Sequence, residues 1–590
     1  MAKNNQQPPK INHRRLSWRP LLKKIANTVA DSPLPAIAAI ATFILSRWWN
    51  NSDFSYPKEV IVPIALFAVL ISAIFYIYRW ILRPGLAPHI ATLILAWCLY
   101  SYSHLVSTSL GRWLLDAIPD RWRTELSESI TAALLIGLIA GLVGWGVGRV
   151  VARSTSIQKL QPYKVMMFAL LFIFVVQLVR TGQRLWDMSD QLAYDYPALQ
   201  LPEPKAQPTA KPDIYYLVFD RYGNQSALAQ NYNFDNSELY KFLESKGFTS
   251  RPEAYANYPF TMSSVSSTLA MSYFPEFEQM FADDGEWQSA SPYRDILNNP
   301  PLAQILLQNG YSYNQVSSWW DFTRVGIKAD SQPTKSFRLR VLGSDYYLSD
   351  LQRDILNKSI LSPWLKKGVS LGSFPVLKYD LNRNPRQNFE AQLSALQQVS
   401  DRSDKSRPQF SFAHVLVPHD PYIFTANGST PTYDNNRTDN GADETLKYTN
   451  QVTYLNTRIR DLVSHIQKAS PEAVIIIQAD EGPYPKEFRF KLEPGHYYDP
   501  QNLSQQKMRQ KFSILASYYF PGAVPNEQPV SSSVNVFRYV LNRYLGYSLP
   551  MLPDCHLSTG DKYTVYNYKE VSEELTGRPA PAGCKQYDPL

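Results

Sequence analysis

"VIIIQADEGPYP", residues 474–485, decides the fold. An unbroken apolar run of strand length that stops on two adjacent carboxylates, Asp480 and Glu481, predicts a buried strand whose carboxyl end carries chemistry. Gly482 permits a sharp backbone exit, and Pro483, lacking an N–H, stops the ladder. Three more runs read as strands: "DIYYLVFD" (213–220), "FSFAHVLVPH" (410–419) and "FSILASYYF" (512–520). Helical patterns at 445–469 and 534–546 alternate with them, which predicts an α/β sheet. Asp220 and His419 end two of the runs, so their side chains and the doublet are expected to meet in one crevice at the carboxyl ends of the strands.

Working outward, 590 residues are too many for one core. Residues 1–185 hold 20 Lys/Arg against 7 Asp/Glu, whereas the remainder carries a net charge of −5. A basic first third and a mildly acidic rest argue for two compartments and against nucleic-acid binding. Five apolar segments, at 34–50, 60–82, 87–106, 130–151 and 163–180, read as membrane helices. The first and third are weaker and also fit buried soluble helices. Basic residues fill alternate loops: Arg14, Arg15, Arg19, Lys23 and Lys24 before the first segment, Arg79 and Arg83 after the second, Arg149, Arg153, Lys159 and Lys164 after the fourth. That pattern places the N-terminus in the cytoplasm and everything after the fifth segment outside the cell membrane. No cleavable signal peptide is expected. The resulting divisions are a basic tail (1–33), a five-helix transmembrane domain (34–185), a Pro-rich linker (186–211), a catalytic domain (212–554) and a C-terminal tail (555–590). Cys98 lies in the third segment; Cys555 and Cys584 are both outside, as a disulfide or as two free thiols.

Asp220, Asp480 and Glu481 would supply hard oxygen donors, a set that suits Mg²⁺ or Mn²⁺ better than Zn²⁺. Without a cation three such carboxylates would repel and raise one another's pKa. A nucleophile is available in "NYPFTMSSVSSTLAMSYF" (257–274), where Thr261 follows a proline turn and opens a helical stretch. Free amides and the helix dipole at that end favour an alkoxide and a phosphoryl oxyanion, and metal coordination would activate the hydroxyl further. The alternative role for Thr261 is a plain N-cap, with Ser263 and Ser264 as rival nucleophiles.

Five stretches together carry a family resemblance: "PDIYYLVFDRYG" (212–223), "NYPFTMSSVSSTLAM" (257–271), "FAHVLVPHDPYIF" (412–424), "VIIIQADEGP" (474–483) and "SSSVNVFRYVLNRYLGYSLPMLPD" (531–554). The soluble part resembles the sulfatase-like branch of the alkaline phosphatase superfamily, and with its membrane segments the chain resembles the lipoteichoic acid synthase type. The resemblance implies an extracytoplasmic domain of alkaline phosphatase/sulfatase-like fold. It implies metal ligation by Asp220, Thr261, Asp480 and Glu481, catalysis by Thr261 and His419, and substrate contact by His419. Trp320 and Arg324, in "SSWWDFTR", fall roughly where related enzymes touch substrate, with ordinary packing as the alternative. His414 reads as structural, being nearer the strand interior.

One departure stands out: Glu481 occupies the place of the histidine in the family's Asp-His-Gly motif, so either the metal site is retuned or catalysis is lost. His496, in "EPGHYY", is a candidate substitute imidazole, or simply an exposed loop residue. No C/S-x-P-x-R pattern of formylglycine sulfatases occurs, so threonine-based phosphoryl chemistry is expected. The expected function is a Mn²⁺- or Mg²⁺-dependent phosphotransferase in the lipid bilayer. It would move a phospho-alcohol group from a lipid-linked phosphodiester donor to an envelope glycan or glycolipid acceptor. A hydrolase with the same site and a catalytically silent envelope assembly protein are the alternatives.

Overall fold

The computed structural model describes Thr28 and residues 31–82, 86–109, 125–154, 162–282, 288–334, 338–341, 344–363, 369–371, 374–379, 385–402, 406–431, 441–484, 503–522, 530, 532–560 and 564–584. They fall into two units. The first holds the described residues up to Trp49, Lys58–Gln183 and Asp354–Pro363; the second holds Asn50–Pro57, Arg184–Arg353 and the described residues after Pro363.

The first unit contains α1 (Leu34–Trp49), α2 (Ile61–Ile81), α3 (Leu86–Tyr100), α4 (Glu125–Arg153) and α5 (Pro162–Asp187), so all five apolar segments are helical. Among the described residues three stretches are long and apolar enough to cross a membrane: Pro57–Ile81, Ile130–Arg153 and Met166–Asp187. Helices α1 and α3 are apolar but have only 16 and 15 residues, less than the ~20 that a bilayer core needs. Small residues bring α3 and α4 together: a Cβ on Gly144 would lie 2.9 Å from the Ala91 carbonyl, and one on Gly148 only 3.2 Å from that of Ala87. In lipid, where apolar burial drives little, such close backbone approach supplies the packing. The late segment Asp354–Pro363 belongs to this unit too. Ile360 N–H donates to the Leu99 carbonyl at 2.7 Å, and Arg47 pairs with Asp354.

The second unit is built on a six-stranded sheet. Its strands are β1 (Ile214–Phe219), β2 (Thr249–Ser250), β3 (Ser312–Val316), β4 (Gln409–Val415), β5 (Val474–Gln478) and β6 (Ala516–Tyr519), in the order β2-β6-β5-β1-β4-β3. β1, β3, β4 and β5 run parallel; β6 is antiparallel to β5 and to β2. β1, β4 and β5 are fully buried, which is why they read as continuous apolar runs. Two runs are shorter than expected. β4 ends at Val415, four residues before the run's His419, and Phe512 closes the helix Gln505–Phe512 rather than opening β6. β3, "SYNQV", was not expected, because its polar residues hide an element buried on both faces. Helix α6 (Thr261–Ala270), α7 (Gly441–Ala469) and α8 (Val536–Leu545) flank the sheet. The ring of Tyr216 on β1 meets Phe412 of β4 at 5.5 Å and Phe537 of α8 at 5.2 Å.

The linker expected at 186–211 begins helical, with α5 reaching Asp187 and a short helix over Ser189–Ala193; from Tyr194 it is extended, as its Pro-rich composition predicts, and lies along α8: the amides of Lys205 and Thr209 donate to the carbonyls of Gly546 and Tyr544 at 2.9 and 3.1 Å. Cys555 and Cys584 are bonded, with Cα atoms 5.4 Å apart. The tail they close is tied into the domain, Leu557 N–H donating to the Asn257 carbonyl at 2.8 Å, four residues before Thr261.

Candidate metal centre

Strand register assembles the site. Val218 of β1 lies level with His414 of β4 and with Gln478 of β5. Side chains alternate along a strand, so Asp220 and Asp480, each two residues past those positions, project from the same face as His414. Ligand atoms of Asp220, His414 and Asp480 lie within 4.8 Å of one another. The His414 Nε2 is 3.7 Å from Asp220 Oδ2 and 3.8 Å from Asp480 Oδ2. All three residues are buried, and Asp220 Oδ1, Asp480 Oδ2 and His414 Nε2 have no hydrogen-bond partner among the described residues.

The electrostatics point the same way. Burial, reinforced by the charge of Asp480, pushes the Asp220 carboxyl well above the usual carboxylate range. Burial also raises Asp480, against the opposing effect of hydrogen bonds from the Thr261 hydroxyl and nearby backbone amides. Burial holds His414 down to about 3, leaving a neutral imidazole. Two carboxylates and one neutral nitrogen, each with one inward unpartnered atom, fit a divalent cation.

Thr261 stands where its chemistry would be needed. It opens α6, the preceding Phe260 is extended (φ −126°, ψ 144°), and no side chain caps this helix end. Its hydroxyl lies close enough to the Asp480 carboxylate to oppose the rise in that group's pKa, while every residue from Met262 to Ala270 is buried. The proline turn and the buried helix therefore leave the half-buried Thr261 as the helix's outlet to the centre.

The neighbour of Asp480 takes another direction. The strand has ended at Gln478 and the chain bends at Asp480 and Glu481, and Glu481 places Oε1 2.9 Å from Arg221 Nε and Oε2 on the buried Lys511 Nζ, apart from the three-residue cluster. Burial lowers Lys511 to about 8. Arg221 also pairs with Asp420 at 3.0 Å, and its guanidinium lies 3.5 Å over the Tyr484 ring. Four carboxylates (Asp220, Asp420, Asp480, Glu481) thus face two cations, a deficit that a divalent ion would balance. Gly482 owes its identity to close approach: a Cβ there would sit 2.1 Å from the Gln510 carbonyl oxygen and 2.7 Å from that of Ser513.

The remaining sequence-derived residues divide. His419 lies beyond β4 with its N–H donating to the Asp220 carbonyl at 3.1 Å. Its Nδ1 faces Asp420, Nε2 has no partner among the described residues, and burial together with Arg221 lowers it to about 4. Trp320 packs edge-on to His414, ring centroids 5.8 Å apart, and stacks on Phe322. Arg324 is 1% exposed; its guanidinium binds Asp321, Asp350 and the carbonyls of Trp319 and Leu348. That is an internal clasp. His496 lies outside the described residues. Sequence reasoning missed His414, Lys511 and Arg221 at the centre. His414 sits inside an apolar run, where only its register against β1 reveals that it is level with the strand ends.

An α/β domain whose adjacent parallel strands end on a buried Asp–His–Asp cluster able to hold a metal ion, with a hydroxyl at a helix N-terminus beside it, belongs to the alkaline phosphatase superfamily class. A family model described as Sulfatase matches residues 212–544, and the chain belongs to that family. No curated protein matches the sequence. Among solved structures, the C-terminal periplasmic domain of EptC from Escherichia coli aligns at 14% identity and TM-score 0.39, covering 65% of this chain and 99% of that one. The lipooligosaccharide phosphoethanolamine transferase A from Neisseria meningitidis, an integral membrane protein, aligns at 13% identity and TM-score 0.39, covering 87% and 95%. The lipoteichoic acid synthase LtaP from Listeria monocytogenes aligns at 10% identity and TM-score 0.34, covering 61% and 76%.

Proposed function

We propose that this chain is a metal-dependent phosphotransferase of the cell membrane that uses Thr261 to move a phospho-alcohol group from a lipid-linked phosphodiester to an envelope glycan or glycolipid. The observation that carries the reading is the buried trio Asp220, His414 and Asp480, with unpartnered ligand atoms converging near the Thr261 hydroxyl that opens α6. Asp220, Asp480 and His414, with Thr261, would hold the cation. One imidazole among oxygen donors suits Mn²⁺ or Zn²⁺ better than Mg²⁺. A divalent ion there would lower the pKa of the Thr261 hydroxyl and offset charge on the phosphoryl oxygens.

The chain's own groups then divide the work. Thr261 Oγ1 gives up its proton and bonds to phosphorus as the bond from phosphorus to the lipid alcohol oxygen breaks, and that oxygen takes up a proton. The acceptor hydroxyl next attacks phosphorus, gives up its proton, and Thr261 is released. His419, neutral and with Nε2 open, would hydrogen-bond the oxygen that leaves or attacks. Glu481 takes no part in ligation in this reading: Arg221 and Lys511 hold it, and His414 supplies the imidazole that the Asp-Glu-Gly motif lacks. This supports a retuned site over a silent one. Helices of membrane-spanning length favour a lipid donor. The late segment Asp354–Pro363, packed on Leu99 and Arg47, supports an arrangement in which the C-terminal ends of α1 and α3 lie outside and the N-terminus lies in the cytoplasm.

The test is intact-mass analysis of the full-length protein given Mn²⁺ and candidate lipid phosphodiesters. A phospho-alcohol adduct that disappears in Thr261→Ala is expected, and its transfer to added glycan marks a transferase. Release to water alone would make the protein a hydrolase. Neither adduct nor diester cleavage in metal-loaded protein would sink the catalytic reading.

A further inference from the structure

The His414 imidazole has two sides, and the side facing away from the centre ends in a chain of hydroxyls. Nδ1 lies 2.9 Å from Thr323 Oγ1, Thr323 Oγ1 lies 2.8 Å from Ser318 Oγ, and the Ser318 hydroxyl donates to the Trp320 carbonyl at 3.1 Å. Thr323, Ser318 and His414 are all fully buried, so no solvent supplies an alternative partner. The direction of the chain follows from its far end. A carbonyl only accepts, and the Trp320 N–H already donates to Ser318 Oγ at 3.1 Å, so the Ser318 proton points at the carbonyl. Ser318 Oγ therefore accepts from Thr323, whose single proton is spent. Thr323 Oγ1 must then accept, and the available donor is Nδ1–H. The opposite polarity would put a proton on Nε2, whose neighbouring carboxylate oxygens at 3.7 and 3.8 Å are too far to accept it.

We infer that Thr323 and Ser318 are positioning residues that set the tautomer of His414, keeping the proton on Nδ1 and the Nε2 lone pair aimed between Asp220 and Asp480. The turn that carries Thr323 is itself braced: Gln315 Nε2 donates to the Thr323 carbonyl at 2.7 Å, and the Arg324 guanidinium binds Asp321 and Asp350 on either side. An imidazole fixed this way needs no tautomer change before it ligates, the arrangement in which the outer partner of a metal-bound histidine raises affinity by about 10- to 100-fold. The consequence for affinity rests on the metal-centre reading above; the tautomer does not.

Two measurements on the full-length protein in detergent separate them. In metal-stripped, ¹⁵N-histidine-labelled protein, with His414→Gln assigning the signal, His414 is expected to show a protonated Nδ1 and an unprotonated Nε2. Thr323→Val should give a mixture of tautomers, and Thr323→Ser the wild-type form. Titration with Mn²⁺, followed by electron paramagnetic resonance of the free ion, should weaken about 10- to 100-fold in Thr323→Val and recover in Thr323→Ser. An Nε2-protonated His414 in the wild type, or a Thr323→Val variant with wild-type tautomer and Mn²⁺ affinity, would overturn the inference. Wild-type protein that binds no Mn²⁺ yet shows the Nδ1–H form would remove the metal reading and leave the hydroxyl chain standing.

Discussion

The ends of β4 and β5 present the same problem and resolve it differently. β5 is followed by two carboxylates adjacent in sequence; β4 carries one imidazole within it and another five residues later. At each end one group faces the centre and the other is taken elsewhere. Past β5 the sorting is by the bend that follows the strand: Asp480 joins the cluster, and Glu481 meets Arg221 and Lys511. On β4 the sorting is by register: His414, within the strand, reaches the cluster, while His419, past the strand's end, lies against Asp420 and the Asp220 carbonyl. Sequence adjacency to a motif is thus a poor guide to ligation, and position in the sheet is a good one.

Substitution at the doublet breaks the comparison most severely. Asp480→Asn should remove Mn²⁺ binding and cost activity on the order of 10³-fold, the several kcal/mol that metal charge stabilisation supplies. Glu481→Gln should retain Mn²⁺ binding in the same titration. Equal loss of metal in the two variants would place Glu481 back among the ligands. Lys511→Met strands the Glu481 charge in a buried site, since the two side chains are 0% and 2% exposed. Stability should fall by about 3–5 kcal/mol, measured by denaturant unfolding, and partly recover in Lys511→Met/Glu481→Gln. Gly482→Ala drives a methyl into the Gln510 carbonyl and should cost about 1–3 kcal/mol, with the helix Gln505–Phe512 displaced.

The smallest effect is that of pH. Asp220 and Asp480 titrate above their ordinary value in the metal-free fold, which therefore holds protons that the unfolded chain has already lost. Stability from this source falls as pH rises through the raised values, and a bound cation cancels the loss. His414 and His419, lowered to about 3 and about 4, act oppositely: the fold keeps them neutral, so stability falls as pH drops below the unfolded value of 6.5 toward those values. Above about pH 6.5 the histidines no longer contribute, while Lys511, lowered to about 8, adds a loss of stability as pH falls from its unfolded value of 10.5 toward 8. Mn²⁺ binding should then release protons, up to about one per carboxylate still protonated, seen by calorimetry in buffers of different ionisation enthalpy. Binding without proton release would show that the carboxylates were already charged.

The membrane unit and the α/β unit also differ in how much their sequence reveals. Apolar segments marked the helices α1 to α5, and for the three of membrane-spanning length the reason is that lipid demands uniform apolarity over a fixed length. Gly144 and Gly148, which let α4 approach α3, gave no comparable sign. In the α/β unit, buried parallel strands announced themselves as apolar runs, but β3, with Asn314 and Gln315 inside it, did not.

The amino-acid order alone determined that this chain has a helical membrane part and an α/β part of sulfatase type, and that Asp220, Thr261 and Asp480 are its candidate reactive residues. Those features are local: apolar length, run and punctuation, and motif. Only the tertiary structure decided that His414 joins the two aspartates, that Glu481 is held by Lys511 and Arg221, and that Arg324 is an internal clasp. Each depends on which residues of distant strands lie level with one another, and that level is set by the pairing of β1 with β4 and β5.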